Sequence, residues 1–150
     1  TRDLMEKAKA KGVNLLLPVD SKCGDNFSNE AATQVTASNQ IPDGWMALDI
    51  GPKAIDEYKK VLVTSKTILW NGPMGVFEMS NYEAGTKAIA ETVAEATTHG
   101  SFSLIGGGDS AAAIYKFGFE NKVSYVSTGG GALLEYFEGK ELPGIKAVME

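Results

Sequence analysis

Three times in this chain an apolar, β-type run ends in a glycine-bearing turn and gives way to helical spacing. The runs are Ile68-Leu69-Trp70 before Asn71-Gly72-Pro73, Leu104-Ile105 before Gly106-Gly107-Gly108-Asp109, and Val126-Ser127-Thr128 before Gly129-Gly130-Gly131. The rest of the pattern predicts a helix over residues 3–11 stopped by Gly12, a short strand Val13–Leu17 closed by Pro18, and a strand Met46–Ile50. Gly51-Pro52 then opens a helix with Ile55, Tyr58, Val61 and Leu62 on one face. Strands are also expected at Thr67–Trp70, Phe102–Ile105 and Ser124–Ser127. Ser80 to Glu83 has capping-box spacing for a helix reaching about His99, packed through Ala88, Val93 and Ala96. Helices follow at Ser110–Phe117 and Ala132–Glu138. Residues 19–40 are weakly patterned and read as an irregular hairpin or surface excursion. Strand and helix alternate through the second half, which predicts an α/β fold: a Rossmann-like, three-layer parallel sheet with helices on both faces.

In such a sheet the three turns share one edge, at the carboxyl ends of the strands. Glycine lets the backbone approach a ligand, and a helix starting there points free N–H groups and the positive end of its dipole at the same spot. A nucleotide polyphosphate suits that edge.

Composition narrows the picture. The 150 residues make one domain's worth of chain, with 43% hydrophobic and 22% charged residues. A formal charge of −5 without a basic cluster argues against a nucleic-acid partner. No apolar stretch has the length of a membrane span and no signal-peptide pattern is visible, so no membrane role is expected. A lone Cys23 fits a reducing compartment. The chain starts at Thr1 without an initiator methionine, as if cut from a longer one.

Gly106 to Ala111 formally satisfies the dinucleotide pattern G-x-G-x-x-A between a strand and a helix, but no carboxylate stands about 20 residues on. Asp109 at the helix entrance would repel a bare pyrophosphate and becomes useful with a magnesium ion between them; as the alternative, it caps the helix. Ser127 to Gly131 reads either as a second phosphate turn or as a tight turn with a hydroxyl cap. Around Asn71, the apolar Pro73, Val76 and Phe77 can hold a flat ring, and Glu78 is either a ribose acceptor or a solvated loop charge. His99, beside Gly100, reads as a helix C-terminal partner and not as a base. Magnesium-dependent kinase, non-catalytic nucleotide-binding module and dinucleotide oxidoreductase all remain open on these residues.

Trp70 to Glu78 closely resembles the nucleotide-site signature of the phosphoglycerate kinase family, as do Gly106 to Ser110, Ser127 to Ala132 and Asp49 to Lys53; Leu134 to Gly144 looks like the family's C-terminal ending. The resemblance implies that Asp109 is the magnesium-nucleotide ligand, with Gly107, Gly108 and Ser110 as its phosphate-binding neighbours. It implies a ribose contact for Glu78, a phosphate contact for Asn71, and adenine walls in Leu48, Pro73 and Val76. Gly108 together with Gly129, Gly130 and Gly131 would face the transferring phosphoryl group. Ala47 departs from the family's glycine and adds a methyl beside the ring, whereas Ser110 replaces a frequent threonine and keeps the hydroxyl. The implied activity is reversible phosphoryl transfer between 1,3-bisphosphoglycerate and Mg-ADP, giving 3-phosphoglycerate and ATP in the cytoplasm. Nothing here resembles the family's first, phosphoglycerate-binding domain or the lysine-bearing strand that opens its nucleotide domain. The chain is thus expected to be roughly the last two-fifths of a monomeric two-domain enzyme, an incomplete domain that is inactive and self-associating alone.

Overall fold

The computed structural model describes residues 2–149. Its centre is a parallel sheet of β4 (Thr67–Trp70), β5 (Phe102–Gly106) and β6 (Tyr125–Ser127), in the order β4-β5-β6. Leu69 aligns with Leu104 and Tyr125, and Trp70 with Ile105 and Val126. The crossovers are α3 (Ala84–Thr98) and α4 (Gly108–Phe117). Side chains alternate across a strand, so Ile68, Trp70 and Ile105 turn to one face and pack with Ile89, Ala90 and Val93 of α3 and Ala113 and Ile114 of α4. In α3 it is Ile89, Ala90, Val93 and Ala96 that are buried, while Ala88 is only half-buried.

On the opposite face, Leu133 of α5 (Gly130–Phe137) closes on Gly106, where a Cβ would lie 2.8 Å from Leu133 Cδ2 and 3.6 Å from Leu69 Cδ1. Helices therefore flank the parallel sheet on both faces. Farther from the turns the second face is bare, with Phe102 at 52% and Tyr125 at 61% exposure.

The first half builds a different sheet. β1 (Asp20–Gly24), β2 (Thr33–Ala37) and β3 (Met46–Ile50) form an antiparallel sheet ordered β2-β1-β3. Of the two alternatives expected over residues 19–40, the hairpin is the one that forms, with an even register between β1 and β2, and β3 lies outside the parallel sheet. The strand expected at Val13–Leu17 does not form. Those five residues are exposed and join no ladder, because an apolar run becomes a strand only where a neighbour accepts its backbone hydrogen bonds. Leu16 instead leans into an apolar cavity of about 330 Å³ with Tyr58, Leu62, Ile68 and Trp70.

Two carboxylates of the antiparallel sheet start the neighbouring helices. Asp20 accepts the N–H groups of Lys53 (3.1 Å) and Ala54 (2.8 Å) at the head of α2 (Pro52–Leu62). Asp49 accepts that of Gly85 (2.7 Å) in the first turn of α3. This corrects the capping box expected at Ser80 to Glu83: residues Ser80–Tyr82 make a single 3₁₀ turn, and Glu83 pairs with Lys116 at 2.6 Å. Ser80 is drawn away to Asn29 Oδ1, 3.2 Å off. α1 (Arg2–Ala10) and α6 (Pro143–Met149) lie at the two ends, and no helix among the described residues is long and apolar enough to cross a membrane.

Candidate nucleotide site

All three glycine turns meet at the carboxyl end of the parallel sheet. Gly107 takes φ 94°, a conformation that disfavours any side chain, and donates its N–H to the Ser127 carbonyl at 3.0 Å. A Cβ on Gly107 would lie 2.7 Å from Asn71 Oδ1, and one on Gly130 would lie 2.6 Å from Gly107 Cα. Gly107 and Gly130 therefore meet backbone to backbone with the Asn71 side-chain oxygen against them, and no larger residue fits at either glycine. The first turn is closed from below by two bonds: the Trp70 indole N–H donates to the Gly72 carbonyl (2.7 Å), and the Gly72 N–H donates to Ser110 Oγ (2.6 Å).

The heads of α4 and α5 open onto this edge. Neither Gly107 nor Gly129, the residues before them, carries a side-chain cap. Ser127 Oγ accepts the Gly129 N–H at 3.2 Å but leaves the helix N–H groups free. Asp109 is exposed in the first turn of α4, and among the described residues it has no hydrogen-bonding or ionic partner. It is not a cap. Gly108, Gly129 and Gly131 are exposed beside it, whereas Ser110 is buried and tied to Gly72.

A second group assembles on the loop after β4. Leu48, Pro73 and Val76 line one cavity of about 320 Å³, together with Ala47, Asp49 and Met74. The Val76 N–H donates to the Leu48 carbonyl at 2.8 Å, which locks the loop to β3. The methyl of Ala47 lines this cavity. Glu78 follows on the same loop as an exposed carboxylate, and the carbonyl just before it, on Phe77, accepts from Lys116 Nζ at 2.5 Å. Asp49 lies in the cavity wall and is nearly enclosed. Burial pushes its carboxyl up to about 6, against the opposing pull of the Gly85 and Ile50 N–H groups and the charge of Lys22.

The chemistry of this donor set can be tested against magnesium. No cluster of three or more His, Cys, Asp or Glu able to hold a metal occurs among the described residues. Magnesium is commonly bound through one or two carboxylates, retained waters and substrate phosphates. A single unpartnered Asp109 beside free helix N–H groups fits a magnesium ion arriving with a nucleotide and does not fit a resident metal.

Residue motifs did not expose the supports: Thr86 and Lys116 hold the loop from 11 to 39 residues away and Asp49 holds the head of α3 from 36, separations no local pattern carries. His99 ends α3 with Nδ1 2.9 Å from the Glu95 carbonyl. Cys23 is buried near Thr36.

Known proteins are similar to this chain in sequence and fold. The family model described as phosphoglycerate kinase matches residues 1–140. A "Phosphoglycerate kinase" of Porphyromonas gingivalis is 60% identical over 147 residues, covering 98% of this chain and 35% of that protein. A "Phosphoglycerate kinase, cytosolic" of Nicotiana tabacum is 56% identical over 97% of this chain and 36% of its own length. The solved phosphoglycerate kinase structure from Coxiella burnetii superposes with a TM-score of 0.89 at 43% identity, covering 97% of this chain and 37% of that one. The chain thus spans little more than a third of the length of these relatives. With the glycine edge, the loop cavity and a match across nearly all of its residues, this chain belongs to the phosphoglycerate kinase family.

Proposed function

We propose that this chain forms the Mg-nucleotide half of a cytoplasmic phosphoglycerate kinase, which transfers a phosphoryl group reversibly between 1,3-bisphosphoglycerate and ADP to give 3-phosphoglycerate and ATP. The observation that carries the reading is the convergence of Asn71, Gly107 and Gly130 beneath two uncapped helix heads, with the unpartnered Asp109 beside them. The adenine ring enters the cavity of Leu48, Pro73 and Val76, the ribose hydroxyls face Glu78, and the phosphates reach Asn71 and the N–H groups of Gly108 and Ser110, while Gly107, whose N–H is held by the Ser127 carbonyl, gives them close backbone approach. Magnesium, held through Asp109, neutralises phosphate charge when bound.

Both the carboxylate and the ADP oxygen are already ionised, so the reaction asks for no general base. What it requires is alignment and charge stabilisation. The uncapped N–H groups at Gly108 and at Gly130 and Gly131, with Gly129 leading into the second helix, supply preorganised donors at the two helix heads. No nucleic acid or membrane takes part in this reading, and the whole enzyme works as a monomer.

Titrating ADP with and without magnesium into the chain and its Asp109→Ala variant tests the assignment. The expected result is a loss of about tenfold or more for Mg-ADP and a small change for metal-free ADP. Equal losses in both conditions would remove Asp109 from the metal site.

A further inference from the structure

The loop that walls the adenine cavity has two consecutive amides, on Met74 and Gly75, placed between the two residues that touch the ring, Pro73 and Val76. Both N–H groups end on one atom. Thr86 Oγ1 accepts from Met74 at 3.1 Å and from Gly75 at 3.2 Å. Among the described residues these two amides have no other acceptor, and Thr86 is fully buried.

Thr86 sits in the first turn of α3, one residue after Gly85, whose N–H is held by Asp49. Gly75 packs so closely on the Asp49 carboxylate that a Cβ there would collide with it. The first turn of α3 therefore clasps β3 with one residue and the loop with the next. Leu48 and Asp49 of β3 form the opposite wall of the same cavity.

From this geometry we infer that Thr86 is a positioning residue for base recognition: its hydroxyl sets the separation of Pro73 and Val76 and thereby the width of the adenine slot. The inference rests on the nucleotide reading above. Thr86 is buried behind the loop and acts through it. The hydroxyl is what matters, since valine fills the same volume without accepting a hydrogen bond and leaves two part-buried amides unsatisfied. Released from Thr86, the loop turns its amides toward water and the slot loses its shape. The phosphate edge, held by Ser110 and Gly107, has separate supports.

The experiment is calorimetric titration of the full chain, its Thr86→Val variant and its Thr86→Ser variant, each with Mg-ADP and with magnesium tripolyphosphate, which has phosphates and no base. Thr86→Val should weaken Mg-ADP binding about tenfold and change tripolyphosphate binding less than about twofold. Thr86→Ser, which keeps the acceptor, should restore Mg-ADP affinity. Unchanged ADP affinity in Thr86→Val, or an equal loss for both ligands, would overturn the positioning role while leaving the nucleotide site standing. Failure of the unmutated chain to bind Mg-ADP would overturn the nucleotide reading itself, and the positioning role with it. Should Thr86→Val not fold, amide hydrogen exchange on the unmutated chain decides: protected Met74 and Gly75 amides support the clasp, and amides exchanging at loop rates overturn it.

Discussion

Glu78 and Asn71 bracket the loop after β4, and their surroundings give them different kinds of freedom. Asn71 is exposed, with its amide oxygen lying against Gly107 and Gly130. Glu78 is anchored only through the carbonyl before it, which Lys116 holds, and its own carboxylate is exposed and available. On the proposed reading Glu78→Gln weakens ADP binding about fivefold to tenfold, the scale of a lost charge-assisted hydrogen bond. A 2′,3′-dideoxy analogue, which has no hydroxyls to offer, should be almost unaffected by the change. Competition titrations with the two nucleotides check this, and equal losses would assign Glu78 to loop structure. Asn71, Asp109 and the glycines were legible in the sequence because each belongs to a short run with an unusual residue demand. Ser110 was legible as a hydroxyl, but its partner, the Gly72 amide 38 residues away, was not.

At the level of elements, the buried carboxylate of Asp49 joins the two halves of the chain by capping α3 from β3. Its pKa of about 6 lies above the ordinary value of 3.8. Between these values the folded chain holds the proton more tightly than the unfolded chain does. Stability from this group is therefore complete below about pH 4 and is lost as pH rises through about 6. Two units at 1.36 kcal/mol each put the effect on the order of 2–3 kcal/mol. Urea midpoints measured from pH 4 to 7.5 should fall across this window, and Asp49→Asn, which keeps an acceptor for Gly85 and cannot ionise, should flatten that limb. A variant with the unmutated pH slope would show that Asp49 is not the group responsible. The helix itself was visible in the spacing of Ala88, Val93 and Ala96, although Ile89 and not Ala88 is the buried neighbour, and its start was not visible. Ser80 and Glu83 have the right spacing to cap it locally, and each finds a better partner elsewhere, in Asn29 and Lys116.

Across the whole molecule, the residues proposed to bind nucleotide stand at one sheet edge and on one loop, and on the proposed reading they form one pole of a transfer reaction. In-line transfer requires donor and acceptor atoms held about 3–3.5 Å apart. A single pole does not provide that. The 150-residue chain with ATP, magnesium and 3-phosphoglycerate in a coupled assay is therefore expected to stay at background. Turnover approaching an ordinary enzyme rate of about 10 s⁻¹ would show that the chain also carries the acyl-phosphate site.

The parallel sheet and its glycine edge were readable from the amino-acid order alone. A buried parallel strand needs a continuous apolar run, the turn after it needs glycine where backbone meets backbone, and both demands are local. Val13–Leu17 shows the limit of that reading. It has the composition of a strand and forms none, because a strand is defined by the neighbour that pairs with it. Residues 20–37 show the reverse: weakly patterned, their two ends pair as β1 and β2, with Asp20, Ser21 and Cys23 of β1 buried and a register shift at Lys22/Cys23 against β3. Tertiary structure alone decided which carboxylates cap α2 and α3 and that Thr86 gathers the Met74 and Gly75 amides, whereas the grouping of Leu48 with Pro73 and Val76 was legible only through the family resemblance. Each of these joins residues at least a helical turn's length beyond any local period. Their energies depend on burial and on hydrogen-bond geometry, which exist only once the chain has closed on itself.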